Sequence, residues 1–80
     1  MSMILIADDD DNLRQMVRRL LESMGHRVVE ANKGEAAIKV FKATTPDLAI
    51  LDVNMGDGPT GFEVCKKIRE DPYEIGRAHV

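Results

Sequence analysis

The chain has 80 residues, 11 basic against 14 acidic for a net charge of -3, and one cysteine, Cys65. That length holds at most one domain with a thin core, and the charge balance leaves no basic footprint for nucleic acid and no polybasic patch for anionic lipid, so neither is an expected direct partner. A lone cysteine excludes an internal disulfide, and no stretch is long and apolar enough to span a membrane or direct secretion, so the expected location is cytoplasmic.

The first apolar run, Met3-Ile4-Leu5-Ile6-Ala7, reads as a buried strand that ends at Asp8-Asp9. After it, Leu13, Met16, Val17, Leu20, Leu21 and Met24 recur at i, i+3, i+4, i+7, i+8 and i+11, the apolar stripe of an amphipathic helix. Arg14, Arg18, Arg19 and Glu22 fall on its wet face, and Asp10 and Asp11 suit its N-terminus. Gly25 follows the last apolar position as a left-handed C′ residue, and His26 to Ala31 reads as a short strand. Asn32-Lys33-Gly34 turns the chain into a second helix over Glu35 to Ala43, with Ala36, Ala37, Val40 and Phe41 on one face and Thr44-Thr45-Pro46 as its stop.

Asp47 leads into a second buried-type strand, Leu48-Ala49-Ile50-Leu51, which ends at Asp52. Gly56-Asp57-Gly58-Pro59 is loop chemistry, and Thr60-Gly61-Phe62-Glu63 has the S/T-x-x-E spacing of a capping box. A third helix from Gly61 is expected to bury Phe62, Val64, Cys65 and Ile68, expose Lys66, Lys67, Arg69 and Glu70, and stop at Asp71-Pro72. The order β-α-β-α-β-α implies an α/β fold with a parallel sheet and right-handed crossovers. Ligand sites in such open sheets form outside the carboxyl ends of the strands, so Asp8, Asp9 and Asp52 are expected to converge there. Carboxylates gathered in that way repel one another unless a cation sits between them, and Mg²⁺ is a hard ion that takes oxygen ligands.

Taken together, Ile4-Leu5-Ile6-Ala7-Asp8-Asp9-Asp10, Pro46 through Met55, and Gly61-Phe62-Glu63-Val64 resemble the receiver domain of two-component response regulators, over about residues 3 to 73. The resemblance implies a flavodoxin-like receiver fold of which this chain carries the N-terminal half, with sheet order 2-1-3. It implies Asp52 as phospho-acceptor, and Asp9, Asp52 and the main-chain carbonyl of Asn54 as direct Mg²⁺ ligands, with Asp8 acting through water. It implies a sensor histidine kinase as the phosphohistidine donor, and a signalling module that is not itself an enzyme. Acceptance of the phosphoryl group would shift an equilibrium between two conformations.

The chain departs from that family near the site, where Gly56 stands at a usual proline and the Asp57 to Thr60 loop is one residue longer than the commonest form. The ending departs further. The family continues into two more strands and helices, which carry a hydroxyl residue and a lysine that contact the phosphoryl oxygens; transfer in this truncated form is therefore expected to be impaired. Residues 1–74 read as a truncated receiver and 75–80 as a non-native tail, since Ile75-Gly76-Arg77-Ala78-His79-Val80 is similar to the translation of a common sequencing adapter. The outer edge of the Leu48–Leu51 strand is then left open, and a homodimer or higher oligomer is expected through that edge or through the tail.

Other readings compete. Asp8 to Asp11 as a mere helix-capping loop leaves Asp52 unexplained. A self-associating interaction module with a relic acidic site is the alternative function. A phosphotransferase of the haloacid dehalogenase type would want an aspartate where Asn54 stands. Cys65 on an apolar helix face reads as core, the methionines as core filler, and His26 and His79 lack metal-ligand spacing.

Overall fold

The computed structural model describes residues 1–69 and 78–79. It holds β1 (Met3–Ala7), α1 (Asp11–Ser23), β2 (Arg27–Ala31), α2 (Gly34–Thr44), β3 (Leu48–Leu51), α3 (Gly61–Arg69) and β4 (Ala78–His79) in one parallel sheet of order β2-β1-β3-β4. Successive strand residues face opposite sides of a sheet, so Leu5, Ala7, Ala49 and Leu51 point one way and Ile4, Ile6, Leu48 and Ile50 the other. The first set packs with Ala37 and Phe41 of α2 and with Val64, Cys65 and Ile68 of α3 as the main core, which Met55 also joins. Cys65 is thus buried, as its place on the helix suggests.

The helices begin and end where local chemistry dictates. Asp10 caps α1 by accepting from the amides of Asn12 and Leu13, and Gly25 takes φ 90 just beyond the helix. Thr45, in the left-handed region at φ 43, closes α2 before Pro46. The expected capping box opens α3: the Glu63 amide donates to Thr60 Oγ1 at 3.2 Å and the Thr60 amide to Glu63 Oε1 at 3.1 Å. The expected stop of α3 at Asp71-Pro72 lies outside the described residues, as do the domain boundary at residue 74 and all of the 75–80 tail except Ala78 and His79.

Three expectations are corrected. Phe62 is exposed, because α3 faces the core through Gly61, Val64, Cys65 and Ile68, and Phe62 lies off that face. No residue of α1 is fully buried: the helix rests on the sheet through Val17, Leu21 and the stem of Arg14, leaving Leu13, Met16, Leu20 and Met24 exposed beside a partly exposed Ile50. Met16 and Met24 are therefore not core filler, whereas Met55 is. Finally, the outer edge of β3 has a partner within the chain, since Ala78 pairs with Ala49 and His79 with Ile50.

Candidate metal centre

The sheet order reverses at β1, which has β2 on one side and β3 on the other, and that switch point fixes the site. Ala7 and Leu51 are register partners at the C-terminal ends of β1 and β3, so Asp8 and Asp52 leave the sheet side by side. The Asp52 amide donates to the Ala7 carbonyl at 2.9 Å and the Asp8 amide to the Ala31 carbonyl of β2 at 3.1 Å, which ties both residues to the strands. Asp8, Asp9 and Asp52 each bring one carboxylate oxygen into a group whose members lie within 4.8 Å of one another. The convergence expected from the sequence is therefore present. Asp10 and Asp11 stay outside it, Asp10 as the cap of α1 and Asp11 paired with Arg14 at 2.8 Å.

The loop after β3 passes close to the acidic group. At Gly56, φ is 69 and a Cβ would stand 3.7 Å from Asp9 Oδ2. Proline is locked near φ -65°, so this path needs the glycine that stands at the family's usual proline position. Asn54 lies in the same loop and is exposed. The loop then re-enters the fold through Gly61, whose amide donates to the Val53 carbonyl at 3.0 Å.

Sequence reasoning missed Arg14. Placed on the wet face by its spacing, its side chain is only 12% exposed and donates from Nη1 to the Asp8 carbonyl at 2.8 Å and from Nε to Glu30 Oε1 at 3.0 Å. Arg18 reaches the other oxygen of Glu30. The available signal was pairwise: an arginine one turn into α1 and, in β2, a lone acidic residue that follows Val28 and Val29.

All three clustered donors are carboxylate oxygens, with no sulfur or nitrogen among them, and that set fits a hard divalent cation such as Mg²⁺. Among the described residues no helix is long and apolar enough to cross a membrane.

The response regulator receiver domain family matches residues 4–78. The transcriptional regulatory protein YvrH of Bacillus subtilis is 48% identical over 68 residues, a match that covers 84% of this chain and 28% of YvrH. Among solved structures, the chemotaxis response regulator CheY4 of Vibrio cholerae superposes with a TM-score of 0.90 at 34% identity, over 96% of this chain and 63% of that one. The response regulator TrrA of Thermotoga maritima, in complex with Mg²⁺-BeF, gives 0.85 at 37% identity, over 91% of this chain and 63% of that one. The chain thus spans less than two thirds of these relatives, and with a switch-point acidic cluster, a parallel 2-1-3 core and a match over nearly its whole length, it belongs to the response regulator receiver domain family.

Proposed function

We propose that this chain is a phosphoryl-accepting signalling module, not an enzyme, in which Asp52 takes the phosphoryl group and Asp8, Asp9, Asp52 and the Asn54 carbonyl hold Mg²⁺, Asp8 through water. The observation that carries this reading is the approach of three carboxylates from two adjacent strand ends to within 4.8 Å. An Asp52 oxygen attacks phosphorus in line, the P–N bond of a phosphohistidine breaks, and the imidazole leaves with the bonding pair. A sensor histidine kinase is the proposed donor, in keeping with the family. Bound Mg²⁺ would supply the positive charge that lets two anions approach and would clamp the phosphoryl oxygens. Meanwhile Asp8, tied to Ala31 of β2 through its amide and to Arg14 of α1 through its carbonyl, keeps the acceptor's neighbourhood fixed, so little reorganisation opposes transfer.

A small acyl phosphate donor with Mg²⁺ tests this on the chain itself. Intact-mass analysis is expected to show slow, Mg²⁺-dependent addition of one phosphoryl group, lost in Asp52→Asn. Slowness belongs to the proposal, because among the described residues no lysine or hydroxyl side chain lines the cavity beside Asp8 and Asp52. Labelling that persists in Asp52→Asn, or none at all with Mg²⁺ present, would overturn the acceptor assignment.

Self-association is the second reading. It draws support from the exposed apolar stripe of Leu13, Met16, Leu20 and Met24 beside Ile50, and less from the β3 edge that β4 partly covers.

A further inference from the structure

Asp8 is held at every main-chain polar group. Its amide donates to Ala31, its carbonyl accepts from Arg14 Nη1, and one oxygen of its own carboxylate accepts from the Asp10 amide at 2.9 Å. The Arg14 guanidinium divides its donors among three places: the Asp8 carbonyl in the β1–α1 turn, Glu30 on β2, and Asp11 in the first turn of α1. Hydrogen bonding to Asp11, and then to Glu30, raises its pKa above the ordinary arginine value against the opposing effect of burial. The group is charged at every working pH.

We propose that Arg14 is a positioning residue for the acidic site, clamping the Asp8–Asp9 peptide while Glu30 holds the clamp from β2. The Asp8 carbonyl and the Asp9 amide share one peptide plane. Rotation of that plane changes ψ of Asp8 and φ of Asp9 together, so a single hydrogen bond to the carbonyl governs where the Asp9 carboxylate stands relative to Asp8 and Asp52. Arg14 also lines the same cavity as Asp8 and Asp52, so it acts at the site's edge and not at a distance. The inference rests on the Mg²⁺ reading of the site and deepens it.

The sign of the effect separates positioning from plain electrostatics. A cation beside three carboxylates competes with Mg²⁺, so on Coulomb grounds alone its removal tightens metal binding. Positioning demands the reverse. Calorimetric Mg²⁺ titration of the wild type, Arg14→Met and Arg14→Lys, with thermal midpoints in chelator to confirm folding, decides the matter. Both variants are expected to bind Mg²⁺ about tenfold more weakly, as when other groups that orient metal ligands are lost. Lysine keeps the charge but lacks the planar fork that serves three acceptors, and it is the deciding variant if Arg14→Met does not fold. A lowered midpoint in chelator with unchanged affinity would reveal a merely structural residue and overturn the proposal, as would tighter binding. Absence of Mg²⁺ binding in the wild type would instead overturn the reading of the site on which the proposal rests.

Discussion

Gly61 lies against the main chain of Asp52: a Cβ on Gly61 would stand 2.2 Å from the Asp52 carbonyl oxygen and 2.8 Å from its carbonyl carbon. The start of α3 and the proposed acceptor are therefore packed backbone to backbone. Gly61→Ala cannot be absorbed by a flexible side chain, because the atoms it meets are main chain. It is expected to cost about 1–3 kcal/mol, as overpacked sites do. Thermal unfolding in chelator measures that loss, and a Mg²⁺ titration should show weakened binding, since the relief must move Asp52. A variant with unchanged midpoint and affinity would show that the two segments separate freely.

The capping box gives a milder perturbation of the same junction. Thr60→Ala removes the oxygen that the Glu63 amide donates to and leaves that amide to solvent. The expected cost is about 1 kcal/mol, or a fall of about 4–8 °C in thermal midpoint for a domain of this size. Thr60→Ser keeps the acceptor and should stay close to the wild type. Equal losses in both would trace the effect to the threonine methyl group instead.

Metal binding gives a third outcome. A ligand that binds only the folded state stabilises it by mass action, so millimolar Mg²⁺ is expected to raise the thermal midpoint. Asp9→Asn removes a charged oxygen donor that has no structural partner in α1, unlike Asp10 and Asp11, and should abolish the Mg²⁺ response while leaving the midpoint in chelator nearly unchanged. Identical melting of the wild type in chelator and in magnesium would falsify the assignment of these carboxylates.

The acidic cluster was legible because its geometry follows from strand ends alone. Once Ala7 and Leu51 are neighbours in a parallel sheet, Asp8 and Asp52 must emerge together, and periodicity suffices to place both. Likewise the caps at Asp10 and Thr60 are local, so a few residues of sequence contain their whole cause. What stayed hidden depends on which faces are covered by other elements. The stripe on α1 has the spacing of a core helix, yet of its apolar positions only Val17 and Leu21 are even partly buried, with the Arg14 stem beside them. Arg14 was illegible for the same reason: its partner Glu30 comes from another element, β2, and no local pattern announces a contact across 16 residues. The β3–β4 pairing is likewise non-local and only two residues long.

That uncovered face yields the last prediction. Leu13, Met16, Leu20 and Met24 lie exposed along one side of α1, and Ile50 of β3 adds to the same apolar surface across the groove. Contiguous apolar surface on a small domain drives association because burying it removes area from contact with water. The β3 edge is a weaker candidate for contact between copies, since Ala49 and Ile50 already pair with Ala78 and His79. Light scattering is therefore expected to show concentration-dependent association of the chain at micromolar levels. Met16→Lys with Leu20→Lys should reduce it, and because those side chains are 62% and 61% exposed the double variant should melt within about 0.5 kcal/mol per site of the wild type. Deleting residues 75 to 80 separates the two surfaces: association that survives the deletion and falls with the lysine pair assigns it to α1, whereas loss on deletion alone assigns it to the C-terminal segment. A stable monomer across the whole concentration range would remove self-association from the readings proposed for this chain.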